Sequence, residues 1–212
     1  MFYQDSQQIY RVRAFDSFAW LLHGFGTRHS QTWGADAAVL HQIHSAIVVD
    51  AAGRSGSLGD GDALIENTRG NSVAVKTADC VPILLVDERH RAVAAVHAGW
   101  RGTSQKIVQK AMAAMVARFE SDVADLHAAI GPAIGACCYE VGAEVASQFG
   151  VAGHPAHLDL AQINQQQLIE QGVSATRIYL AGLCTKCLEK EFYSWRRDGE
   201  RAGRMLSVAG IR

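Results

Sequence analysis

Residues 79–102 read DCVPILLVDERHRAVAAVHAGWRG, and the reading of this stretch decides the fold. Two apolar runs flank the charged patch Asp87–His90, and such runs bounded by a polar turn predict a buried β-hairpin. A hairpin centred between Glu88 and Arg89 pairs Val86 with Arg91, Leu84 with Val93 and Pro82 with Ala95. Continued outward, the same register sets Cys80 opposite His97. Directly opposed residues share a face and hold their Cβ atoms about 5 Å apart. A thiolate and an imidazole at that separation can share a metal ion, or can act as nucleophile and base. Taken singly, Cys80 reads as a small core residue and His97 as a histidine satisfied at a strand end; their shared register sets a functional site level with that reading. Pro82 has no N–H to donate, which predicts an edge strand or a bulge. The hairpin runs into HAGWRGTS, where Gly99 and Gly102 permit turns and close approach. Arg101 there offers a planar cationic fork beside a helix start, a combination suited to an anion.

Working outward, Thr103–Phe119 predicts a helix capped by Thr103 or Ser104, with Ile107, Val108, Ala111, Met112 and Met115 on one face. Upstream, AVLHQIHSAIVVDA (38–51) predicts a strand, GRSGSLGDGD (53–62) a turn-rich loop, and residues 63–80 two short strands joined through NTRG. Downstream, residues 125–150 predict a strand, a Gly-Pro loop and a short helix. A helix ending near Gly172 follows, then a strand at TRIYLAG and an irregular tail with a late strand at RMLSVAGI. Strand pairs and helices alternate without a strict βαβ rhythm, so the expected class is α+β with mixed sheets. No linker or repeat divides the chain, and residues 1–212 are expected to form one domain. A third ligand to join Cys80 and His97 should come from HQIHS. His41 and His44 would point to opposite faces of a strand, and periodicity does not choose between them.

The chain has 212 residues and a net charge of −1, with no block of lysine and arginine. A nucleic-acid partner therefore has no electrostatic support. The polar, interrupted N-terminus contains neither a signal-peptide core nor an apolar span long enough for a bilayer, and a cytoplasmic location without membrane contact is expected. Five cysteines cannot all pair within one chain, so they are read as core residues, ligands or nucleophiles. Cys184 and Cys187 in CTKC have metal-like or redox-like spacing. The other two, Cys137 and Cys138, are adjacent rather than a second C-x2-C, which weighs against a structural zinc.

Five segments, QIHSAIVV, DALIENTRGNSVAVKTADCVPILLVD, VAAVHAGWRGT, IGPAIGACCYEVG and FYSWRRDGERAGRM, resemble in order the signatures of the YfiH-like, laccase-domain family. Members were formerly labelled multicopper polyphenol oxidases and are now described as purine nucleoside phosphorylases. The resemblance implies a sandwich of mixed sheets flanked by helices, similar to a toxin-type cysteine-hydrolase fold. It implies a zinc site made by His44, Cys80 and His97, choosing His44 over His41, with catalysis at the same residues. It also implies phosphorolysis of adenosine, inosine, guanosine and methylthioadenosine to base and ribose-1-phosphate, and deamination of adenosine. Arg28, Arg101 and Tyr139 match signature positions suited to substrate, and Arg196, Arg197 and Arg204 either line the pocket or pair with carboxylates.

Three protein ligands leave one position open, the pattern of a catalytic zinc. Copper could occupy the same donors, yet a copper oxidase cluster needs many histidines, often as H-x-H, and the sequence has no such pair. Alternatives are a thiol hydrolase with Cys80 as nucleophile and His97 as base, or a factor that edits peptidoglycan precursors. Two departures from the family pattern stand out: residues 30–41 are short, and CTKC replaces a segment that commonly carries an acidic residue after Cys-Thr.

Overall fold

A computed structural model describes residues 1–30, 32–152 and 156–212. The first half of the chain forms β1 (Phe2–Gln4), β2 (Tyr10–Val12), β3 (Leu21–Phe25), β4 (Val39–His41), β5 (Val48–Asp50), β6 (Ser57–Asp60), β7 (Ala63–Glu66) and β8 (Ser72–Thr77). The hairpin strands follow as β9 (Val81–Asp87) and β10 (Ala92–Ala98), leading into α1 (Trp100–Ser104) and α2 (Ile107–Phe119). Then come β11 (Leu126–Ile130), β12 (Glu140–Val141), α3 (Ala143–Ser147), β13 (Ala156–His157) and α4 (Leu160–Glu170). The chain closes with β14 (Ile178–Leu180), α5 (Trp195–Asp198) and β15 (Met205–Ile211).

Every residue of β9 and β10 is buried, which is why both read as unbroken apolar runs. They form the middle of a six-stranded sheet in the order β14-β11-β9-β10-β7-β5. Side chains alternate between its faces. Leu84, Val86, Val93 and Ala95 pack with Val73, Val75 and Ala209 of a five-stranded sheet ordered β1-β2-β3-β15-β8. Ile83, Leu85, Ala94 and Val96 pack with Ile107, Met112 and Met115 of α2 and Leu160 and Leu168 of α4. The layers are thus sheet, sheet and helices. The six-stranded sheet is mixed, since β5 with β7 and β11 with β14 run parallel and its other pairs antiparallel, while the five-stranded sheet is antiparallel throughout. The α+β class and the flanked sandwich are as expected. No described helix is long and apolar enough to cross a membrane.

Four local expectations are corrected. The hairpin centre lies between Arg89 and His90, so Val93 pairs with Val86 and His97 with Pro82. The cause is side-chain capping: Asp87 accepts from the backbone N–H groups of Arg89 at 2.9 Å and His90 at 3.0 Å, and Arg91 turns at φ 48°. This closes a four-residue loop over Glu88–Arg91. The strands slide by two residues relative to the expected pairing, which preserves faces. Cys80 therefore stands just past the last pair, Val81 with Ala98, as a diagonal neighbour of His97. Pro82 lies in a central strand rather than on an edge. Its carbonyl accepts from the Gly131 N–H at 2.9 Å, one residue past Ile130 where the β11 ladder ends, so the proline stands at the end of that ladder.

The segment 38–51 is broken into β4 and β5 by a loop in which His44 takes φ 57°. The helix expected from Thr103 begins earlier, at Trp100, and breaks at Lys106, whose φ is 60°. Gly99 rather than Thr103 or Ser104 is its N-cap residue. Thr103 is buried and held by α4, receiving a hydrogen bond from Asn164 at 2.9 Å. The predicted apolar face of α2 is fully buried.

Candidate metal and substrate site

The end of the six-stranded sheet where β9 starts and β10 ends carries Cys80 and His97. The β4–β5 loop swings His44 over them. One donor atom from each of His44, Cys80 and His97 lies within 4.8 Å of the others, with His44 Nε2 at 4.0 Å from Cys80 Sγ. The imidazoles meet edge to face, centroids 5.0 Å apart. His97 is buried and His44 exposed, so solvent reaches the group from one side. His41 is separate; its ring bonds Asp60 at 2.9 Å. Gly99 suits this packing, since a Cβ there would sit 3.1 Å from Cys80 Sγ and 3.2 Å from His44 Cδ2, tight enough that one of them would have to give way.

The residue that assembles the trio is Asp62, which the sequence reading left in a turn-rich loop. Its buried carboxylate accepts from His97 Nδ1 at 2.8 Å, from the His44 N–H at 3.1 Å, and from the Ser45 N–H at 2.6 Å and hydroxyl at 2.7 Å. One group thereby fixes the His97 tautomer and pins the loop that carries His44. A carboxylate behind a ligating histidine is the usual outer support of a metal site, but nothing local in the sequence singles out Asp62 for it. Burial opposes ionisation of Asp62, but the bonds from His97 and Ser45 outweigh it and hold the carboxyl at about 2. Burial likewise opposes the Cys80 thiolate, yet hydrogen bonds from His44 and His97 bring the thiol down to about 6. Burial disfavours charge on His97, while Asp62 and Cys80 raise it to about 9. The thiol is poised to ionise, as a metal ligand or nucleophile must be.

Asp79 fixes the other side. It adopts φ 87°, strained for a residue with a side chain. Its buried carboxylate accepts from Thr185 Oγ1 at 2.6 Å, Ser194 Oγ at 3.0 Å and the Arg196 N–H at 2.7 Å. The C-terminal tail is thus fastened beside Cys80.

These elements enclose a cavity of about 790 Å³ lined by the trio together with Lys76, Trp100, Arg101, Tyr139, Trp195, Arg196 and Arg204. Guanidinium groups stack on rings: Arg101 on Trp100 at 4.4 Å, Arg196 on Tyr139 at 5.3 Å and Arg204 on Trp195 at 5.4 Å. Among the described residues, none of Lys76, Arg101, Arg196 and Arg204 forms a carboxylate ion pair. Arg101 and Tyr139 both line the cavity. Arg28 is not in the lining; it stacks on Tyr193 and donates to the Glu189 carbonyl at 2.7 Å. Arg197 pairs with Asp198 at 2.8 Å. The other four cysteines, 137, 138, 184 and 187, converge on a separate point. His154, read by default as a surface or core residue, lies outside the described residues, as does part of the short 30–41 segment.

A family model described as multi-copper polyphenol oxidoreductase laccase matches residues 26–212. A purine nucleoside phosphorylase of Clostridium acetobutylicum is 40% identical over 181 residues, covering 81% of this chain and 75% of that protein. Adenosine deaminase RL5, from an unknown prokaryotic organism, is 37% identical over 190 residues, covering 84% of this chain and 71% of that protein. The crystal structure of YlmD from Geobacillus stearothermophilus superposes with a TM-score of 0.90 at 28% identity, covering 100% of this chain and 98% of that one.

Proposed function

The chain belongs to the multi-copper polyphenol oxidoreductase laccase family, and from that premise we propose that it is a purine nucleoside phosphorylase with adenosine deaminase activity, acting at a metal site of His44, Cys80 and His97. The observation that carries the reading is the cavity, in which a thiol–imidazole trio faces aromatic rings and cations that form no carboxylate ion pair among the described residues. The donor set suits zinc, one soft thiolate with two imidazoles, and Asp62 supplies the outer support such a site uses. Copper accepts the same donors, but two imidazoles and one thiolate are too few for a multicopper cluster. When bound, the ion supplies Lewis acidity and lowers the pKa of coordinated water.

The chain's own residues do the rest. Trp100, Tyr139 and Trp195 offer flat apolar surface to a purine. Arg101, with Lys76, Arg196 and Arg204 on the same cavity, holds phosphate and the charge that develops as it attacks C1′ of the ribose. The glycosidic C–N bond breaks, its electron pair passes to the purine, and a solvent proton neutralises the departing base. Because α1 is a single turn starting at Trp100, the phosphate reading rests on the arginine side chain rather than on a helix dipole.

Incubation with adenosine and phosphate tests this: adenine and ribose-1-phosphate report phosphorolysis, inosine reports deamination. Arg101→Ala should raise the phosphate KM by roughly tenfold or more while slowing deamination much less. Equal loss of both activities overturns the phosphate assignment. A second reading is favoured by the Asp62–His97 pair beside Cys80, whose sulfur lies within 4.8 Å of an imidazole oriented by a carboxylate, as in a thiol hydrolase. Stoichiometric zinc lost on Cys80→Ala supports the metal enzyme; metal-free protein alkylated at Cys80 supports the hydrolase.

A further inference from the structure

We infer that Cys137, Cys138, Cys184 and Cys187 form a second, four-thiolate zinc site that clasps the wall of the substrate cavity. The four sulfur atoms lie within 4.8 Å of one another, and the closest separations are 3.4 Å for Cys138 to Cys187 and 3.7 Å for Cys137 to both Cys138 and Cys187. A tetrahedral ion with Zn–S bonds of about 2.3 Å has S···S edges of roughly 3.8 Å. The described geometry is already close to that figure. It is far from a disulfide, whose sulfurs sit about 2.05 Å apart. It is also too tight for a polynuclear iron–sulfur cluster, where inorganic sulfide separates the irons and spreads their cysteines.

Adjacency of Cys137 and Cys138 weighed against this site in the sequence. The fold removes the objection by making the turn after Gly135 direct both side chains toward the CTKC segment. Two strands of chain about fifty residues apart are locked together there: Ala133 pairs with Cys184, and Thr185 N–H donates to the Ala133 carbonyl at 3.0 Å. The Gly135 N–H points at Cys184 Sγ, 3.3 Å away, the outer-shell bond that a thiolate ligand recruits. Two of the thiols are exposed, so an ion can enter.

The clasp connects to the cavity through two short links. Tyr139 follows Cys138 directly and lines the cavity. Thr185 lies within CTKC and donates to Asp79, the neighbour of Cys80. An ion closing all four protein ligands is structural, and its place is to hold Tyr139 and the tail against the first site. This inference stands whether or not the nucleoside reading does.

Metal content of the full chain, purified from zinc-supplemented cells, tests it. Two zinc equivalents per chain are expected in the wild type, one in Cys137→Ser/Cys187→Ser and one in Cys80→Ala. Should the double variant fail to fold, cobalt(II) added to metal-free Cys80→Ala gives the same answer. Thiolate-to-cobalt charge transfer of four-sulfur intensity supports the site. A wild-type maximum of one equivalent, retained in the double variant, overturns it. So does the absence of cobalt–thiolate bands in Cys80→Ala, or a native disulfide found by mass spectrometry among the four.

Discussion

Asp62 is the residue on which most of the site's order rests, because one buried carboxylate receives four hydrogen bonds from three residues of the site. Asp62→Asn keeps the size but removes the charge and places two donors where only acceptors are wanted. Metal affinity should fall by about 10- to 100-fold, measured by competition with a chelator. Folding stability should drop by about 1–3 kcal/mol, since buried donors lose an ionic partner. Unchanged metal affinity would mean that His97 and His44 are held by packing alone.

At the scale of elements, the site depends on how the ends of β10 and α1 meet. Gly99 has φ −72°, ordinary for any residue, so its lack of a side chain serves space rather than backbone freedom. Gly99→Ala should displace Cys80 or His44 and lower metal occupancy and turnover together, with little change in Tm. Met115→Ala in α2 is the contrasting case. It opens a void beneath the six-stranded sheet, far from the trio in sequence, and should cost about 2–5 kcal/mol in denaturant titration while leaving metal stoichiometry intact. The same scale shows where local reading fails. Apolar runs identified β9, β10 and the face of α2, because burial on both faces or on one stripe is written into residue period. The hairpin centre lies one position, and its register two residues, from the expected ones because Asp87 caps its own loop, and the helix break at Lys106 has no composition signal at all.

Across the whole molecule, a buried histidine couples the N-terminal strands to acid stability. His23 in β3 accepts from the Val12 N–H at 3.0 Å and packs edge-on against Phe15. Burial first, then the charges of Arg11 and Arg212, push its pKa to about 3 from 6.5. A depressed value means that the unfolded chain binds the proton first. Stability from neutral His23 is complete above about 6.5, declines as pH falls below it, and bottoms out once the folded form also protonates near 3. Between roughly pH 4 and 6, His23→Gln should flatten the stability slope by about 1.4 kcal/mol per pH unit, read from urea midpoints. A slope identical to wild type would show that His23 is already charged in the fold.

By itself the sequence determined the two hairpin strands, the apolar face of α2, the α+β class, the family signatures and the placement of Cys80 and His97 on one face. These are local or periodic properties, and a two-residue slide of the hairpin leaves the face unchanged. Only the tertiary structure decided that Asp62 joins the β4–β5 loop to His97, that Asp79 fastens the tail, that Arg28 turns away from the cavity, and that four cysteines from two distant segments meet. Each of those contacts closes a loop of many residues through side-chain hydrogen bonding or packing, and no short-range pattern in the chain encodes which distant partner will satisfy a given polar group.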